Sequence, residues 1–221
     1  MAVKSKVGRS EPPRTLAFPA LAPFADDGLA AHGDYEAVEF LELDLAGQSA
    51  PDASFAECRL ERCTLDDLSL RRARLADCHL AECGASTVDA ADSIWRDSLV
   101  SGGRLGAVMA PGASLTNVRL RGVRISFLSL GGGTLADVVF EGCQIDDLDL
   151  SDGQARAVRF VDCTIGALSV TGARLTGFDL TGATLRTLRG VGSLKGAIIS
   201  RDQLQEFAPL LAAHMGLEVR D

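Results

Sequence analysis

Counting by fives from Phe40 to Leu185, every position is apolar, thirty in succession, fifteen of them Leu and five Ala. At 47% apolar content, chance gives such a run roughly once in ten billion. Two residues before each lies a second column: Val38, Leu43, Gln48, Ala53, Cys58 and on to Leu188. It is small or apolar except at Gln48, Ser93 and Ser98. Side chains two apart on an extended segment point the same way. Each five-residue unit therefore sends two residues inward and leaves three outside or at a corner. A period of five fits neither an α-helix nor a plain strand; it fits a chain that turns a corner in every unit. The pattern predicts a repeat solenoid over 36–190, flanked by off-period segments at 1–35 and 191–221.

In Gly172-Ala173-Arg174-Leu175-Thr176-Gly177 and Gly182-Ala183-Thr184-Leu185 the unit is clearest. It resembles the pentapeptide-repeat family, whose unit reads Ala, then Asp or Asn, then Leu, then two free positions. The resemblance covers about 36–190. It implies an all-β fold, a right-handed, four-sided parallel β-helix with one pentapeptide per side and four per coil. The chain departs from the family unit just before the central residue. Asp stands there at Asp44, Asp89, Asp149 and Asp179, but Arg, Ser and Thr are commoner. With four units per coil, residues twenty apart stack. Thirty units then give seven and a half coils, a rod roughly 36 Å long. In one layer Trp95 sits with Ala85 and Ala90, so its volume is expected to be compensated as a close-packed interior requires.

The ends break the period. Residues 1–35 hold Pro12, Pro13, Pro19 and Pro23, and the first ten are expected to be disordered. An open coil needs a cover, and Leu16, Phe18, Leu21 and Phe24 are the candidates at this end. The frame breaks again at Gly190-Val191-Gly192. Ser200 and Gln203 then form a capping box, and Leu204, Phe207, Leu211 and Met215 mark an amphipathic capping helix. Pro209 predicts two short helices or one bent helix, ending at Gly216. The segment is also similar to the C-terminus of mycobacterial pentapeptide-repeat proteins that protect DNA gyrase from quinolones. The residues carrying this are Ser193-Leu194, Gly196-Ala197, Asp202-Gln203, Phe207, Ala212-Ala213-His214 and Gly216-Leu217. That resemblance implies a homodimer joined end to end through the C-terminal helix.

Chemistry is scarce. All six Cys (58, 63, 78, 83, 143, 163) fall in the inward column. A small hydrophobe fits there better than a thiolate metal ligand. The three His are scattered at His32, His79 and His214. There is no nucleophile elbow, phosphate loop or metal-spaced His pair, and Gly131-Gly132-Gly133 reads as a corner plus a small inward residue. An unbroken frame leaves no inserted loop to build a pocket. The expectation is a non-enzyme with no cofactor and no metal. No apolar run is long enough to span a membrane and no secretory leader is seen after Lys4, Lys6 and Arg9, so the cytoplasm is the expected location.

The net charge of −8 is uneven. Residues 36–97 carry 14 acids and 6 bases, 98–136 carry only Arg104, Arg119, Arg121 and Arg124, and 137–190 carry 8 acids and 5 bases. The overall sign disfavours direct nucleic-acid binding. On one side the second residue after the inward one reads Glu57, Asp77, Asp97, Asn117, Asp137, a line of carboxylates about 20 Å long. Such a line could imitate a DNA strand for a protein that expects one. The resemblance implies that the partner is a type II topoisomerase, DNA gyrase, which the chain would modulate or shield from inhibitors. The alternative is a generic interaction scaffold whose acids serve solubility, which the basic waist favours.

Overall fold

The computed structural model describes residues 18–219. Leu16 and the first ten residues lie outside that range. The chain winds into a parallel β-solenoid whose strands fall into three sheets of ten, eight and seven strands. Partners are twenty residues apart, as in Phe55↔Leu75, Leu75↔Trp95 and Trp95↔Leu115. Two sheets cover one side each. The third bends around a corner and covers two, because strands such as Arg104–Met109 and Arg124–Ser129 run through it. These long strands carry two inward residues each, Leu105 with Val108 and Ile125 with Leu128, so four sides enclose one core.

The corners explain the period. With few exceptions, the second residue after each inward one is in the left-handed region. Of the 24 such residues among those described, eight are Gly, eight Asp and one Asn. These three types tolerate positive φ, Gly for want of a Cβ and Asp and Asn through local hydrogen bonds. The corner inside the third sheet differs: from Thr87 onward it stays extended, and the residues there are Thr87, Ala107, Phe127, Asp147, Ala167 and Thr187. The four Asp residues before central positions also do local work. Asp44, Asp89, Asp149 and Asp179 each accept the backbone N–H two residues on, at 2.9–3.1 Å, which closes an Asx turn.

The inward columns are buried almost throughout. Their polar members have partners. Ser93 Oγ donates to Ala90 O at 2.6 Å, and Ser98 Oγ donates to Arg96 O at 2.7 Å. The six Cys are free, buried thiols that donate weakly to strand carbonyls, as Cys78 does to Phe55 O and Ala76 O. The thiol stacked against each, and then burial, push Cys78, Cys83 and Cys143 well above the ordinary thiol value.

The rod is longer than the period alone gives, because off-period chain adds a strand at each end of the ten-stranded sheet. Ala22–Pro23 pairs with Val38 and Glu39, and Ala197–Ile198 pairs with Phe178 and Asp179. At the first end Phe24 stacks on Phe40 with ring centroids 4.6 Å apart, and Tyr35 packs beside both. Tyr35 itself occupies an inward position and is buried, so the core begins one unit ahead of Phe40. Phe18 does not cover the open coil. It lies along the outside, stacked on His79 at 6.5 Å. At the other end a single helix, Arg201–His214, runs unbroken through Pro209. The expected break is absent because the one carbonyl that loses its helical donor belongs to exposed Gln205, where water can replace it. Gly216, at φ 70°, closes the helix with Leu217 N–H donating to Ala212 O.

Candidate partner-binding surfaces

Glu57, Asp77, Asp97, Asn117 and Asp137 occupy one corner of the rod, all with φ between 49° and 58°. Their coils are hydrogen-bonded strand to strand, so the acids sit at the inter-strand step of about 4.8 Å. The structure brings the four predicted acids to one edge, but in different electrostatic states. Glu57 and Asp77 have no ion pair among the described residues. Asp97 accepts a hydrogen bond from Asn117 Nδ2, which keeps its charge. Asp137 is paired with Arg156 at 2.7 Å, which removes much of its field. The free carboxylates therefore concentrate toward the first half of the rod. Arg59, Arg96 and Arg119 flank this corner on the adjoining faces, and Arg59 is itself bound to Glu39 and Glu61.

Other corners carry acids too, and several are neutralised. Arg72 meets Asp52 with two hydrogen bonds, 2.8 and 2.6 Å, and this contact holds the Asp52 carboxyl below its ordinary value. Arg62 likewise meets Glu42 at 2.8 Å. The basic waist is split. Arg119 and Arg121 lie on the ten-stranded side, where Arg121 pairs with Glu141 at 3.0 Å. Arg104 and Arg124 are strand partners on the bent sheet, exposed and without a carboxylate partner among the described residues.

The cap residues divide. Phe207 is 4% exposed and plugs the last coil, and Leu211 packs partly against the same core. Leu204 (50% exposed) and Met215 (70%) point away, joined on the outside by Leu210, Leu217 and the edge residue Ile198. Two glutamines do work that the apolar pattern did not reveal. Gln203, beyond its capping box with Ser200, donates from Nε2 to Leu180 O at 2.7 Å and Ala183 O at 2.8 Å. Gln48, the polar exception in the inner column, accepts Leu29 N–H at 2.7 Å. Each satisfies backbone groups left open where the coil stops. The only signal for Gln48 was its breach of the apolar column.

Among the described residues no cluster of three or more His, Cys, Asp or Glu could hold a metal, and no helix is long and apolar enough to cross a membrane. His79 is half-buried under Phe18, with Nε2 2.7 Å from Ser101 Oγ. Burial, and then the Arg59 charge, hold its pKa below the ordinary value.

No protein-family model and no curated protein matches the chain. Solved structures do. HetL, a pentapeptide repeat protein involved in heterocyst differentiation regulation from the cyanobacterium Nostoc, is 20% identical over 76% of this chain and 90% of its own, with a TM-score of 0.32. QnrB1, a plasmid-mediated fluoroquinolone resistance protein, is similar in a trypsin-treated form at 14% identity over 85% of this chain and all of its own, TM-score 0.35. Its full-length form is 15% identical over 84% of this chain, TM-score 0.30.

Proposed function

We propose that this pentapeptide-repeat rod is a non-catalytic, cytoplasmic DNA mimic, and that its acidic corner enters the DNA-binding groove of a type II topoisomerase, DNA gyrase. The observation that carries the reading is the edge formed by Glu57, Asp77 and Asp97, three carboxylates on consecutive coils with no Arg bound to them among the described residues. A rigid backbone fixes their spacing, so a basic groove gains charge complementarity without ordering a flexible chain. The similarity of the C-terminal segment, Ser193 to Leu217, to gyrase-protecting proteins supports the choice of partner. The exposed Leu204, Leu210 and Met215 support a homodimer joined at that end, a rod of twice the length.

A second reading has its own observation. Asp recurs at corners because the backbone there is left-handed, so part of the acidity follows from folding and needs no partner. On that reading the rod is a generic scaffold for another protein, and its acids keep it soluble.

Gyrase supercoiling and quinolone-stabilised cleavage, measured with the protein at micromolar concentration, separate the two. The mimic should inhibit supercoiling or reduce cleavage complexes. Asp77→Asn combined with Asp97→Asn should weaken that effect roughly tenfold with an unchanged melting temperature, since Asn117 already occupies the same corner column at φ 53°. No effect of the wild type on either reaction removes the gyrase reading.

A further inference from the structure

The interior is not filled evenly. At the waist lies a cavity of about 90 Å³, bounded by Trp95, Val100, Leu105, Val108, Ala110 and Leu120 among others. The inward residues Trp95, Val100, Leu105 and Val108 are only half-buried, whereas Leu75, Leu130 and Leu135, one or two coils away, are at most 2% exposed. Trp95 is therefore not the fully packed core residue that the layer arithmetic predicts.

Composition by layer gives the cause. Elsewhere, where the rod places one Ala at a central position, a Phe in the same layer makes up the volume, Phe55 for Ala50 and Phe160 for Ala155, but the layer of Trp95 sets a single indole against two Ala, Ala85 and Ala90, and the small Val100. The next layer, that of Ala110, has no aromatic ring at all, only Leu105, Leu115 and Leu120, so two consecutive layers fall short. Gly103 adds to the deficit, standing in a column that elsewhere holds Cys63, Cys83, Val123 and Cys143. It cannot be enlarged, since its φ is 78° and a Cβ would lie 2.1 Å from Cys83 O.

The polar groups at the wall are already occupied. Trp95 Nε1 donates to Ser93 Oγ at 2.9 Å, and Cys83 Sγ donates to Leu60 O and Ala81 O. A water inside would lack the two to four partners it needs, and such apolar cavities stay dry and take up apolar guests. One stretch of the wall, at Gly102, has no side chain. The Glu82 carboxylate lies over it and accepts Gly103 N–H at 3.2 Å.

We infer that the waist cavity is a binding site for a small uncharged apolar molecule, with the Trp95 indole as one wall and the Gly102 corner as the way in. The site is smaller than the ~150 Å³ apolar cavity that holds a benzene ring, so its ligand is a compact group no larger than a ring. This is independent of the partner proposed for the acidic corner.

Trp95 is the single Trp of the chain, so its fluorescence reports on this site alone. Xenon, a compact apolar probe and a heavy-atom quencher, is titrated into the full-length protein. Saturable quenching of Trp95 is expected, together with a melting temperature raised by roughly 3–6 °C at about ten times the Kd. Ala110→Leu, which fills the cavity, should abolish both effects, and Val100→Leu serves as the second filled variant if the first does not fold. Linear, non-saturating quenching in the wild type, or saturable quenching that survives in the folded filled variants, overturns the proposal.

Discussion

A left-handed corner recurs at most of the five-residue steps, and that conformation decides more of this molecule's surface than charge does. Asp, Asn and Gly hold most of those corners because their backbones reach positive φ at low cost. Acids elsewhere, such as Asp149, close Asx turns. An outward residue can also be set by what crosses it. His79 occupies an outer position by period, yet Phe18 folds over it and burial lowers its pKa from the ordinary 6.5. The folded state thus favours neutral His79. The unfolded chain binds more protons between the two pKa values, so stability rises with pH through that window. The His79 contribution is complete above about pH 6.5 and is lost as pH falls below it toward the lowered folded value. Melting temperature at pH 7.5 and pH 5.5 checks this, and the His79→Gln variant should show the smaller difference. The period shows that His79 points outward. Its cover comes from off-period chain that no repeat could place.

At the scale of elements, the ends are where the repeat gives out. The amphipathic stripe and the capping box locate the C-terminal helix in the sequence, and the structure keeps both. The split of the stripe follows from docking. Only one face of Arg201–His214 can meet the last coil, so Phe207 and Leu211 turn in while Leu204 and Met215 do not. Gln203 ties the helix to the carbonyls of Leu180 and Ala183. Replacing Gln203 with Leu leaves both buried acceptors without that donor and should cost about 1–3 kcal/mol. Phe207→Ala opens the end of the core and should cost about 3–5 kcal/mol. Urea unfolding measures both. Because a solenoid is stabilised by nearest-neighbour interfaces, hydrogen exchange should localise the loss of protection to the last coils.

At the scale of the whole molecule, the rod has an acidic first half, a basic waist and an exposed apolar tip. Pairing with Arg156 leaves Asp137 little free charge, so the corner presents its field mainly at Glu57, Asp77 and Asp97. The tip exposes Leu204, Leu210, Met215, Leu217 and Ile198 at one end, and large apolar side chains left exposed together at one end suit an association site. A dimer mass by light scattering at micromolar concentration is the expected result. Leu204→Glu combined with Met215→Glu should give a monomer with an unchanged helix signal, because neither side chain enters the core.

The sequence by itself determined the architecture. A period of five with two inward columns leaves one regular way to bury them, and equal steps place every residue by counting. It also identified the acids that share a corner, since stacking at twenty residues is arithmetic. Only the tertiary structure decided what depends on unequal neighbours: which carboxylates meet an Arg, how two glutamines tie off the ends, where Phe18 lies, and that the interior is left underfilled at Trp95. Those outcomes depend on side-chain reach and volume in three dimensions, and a register fixes neither.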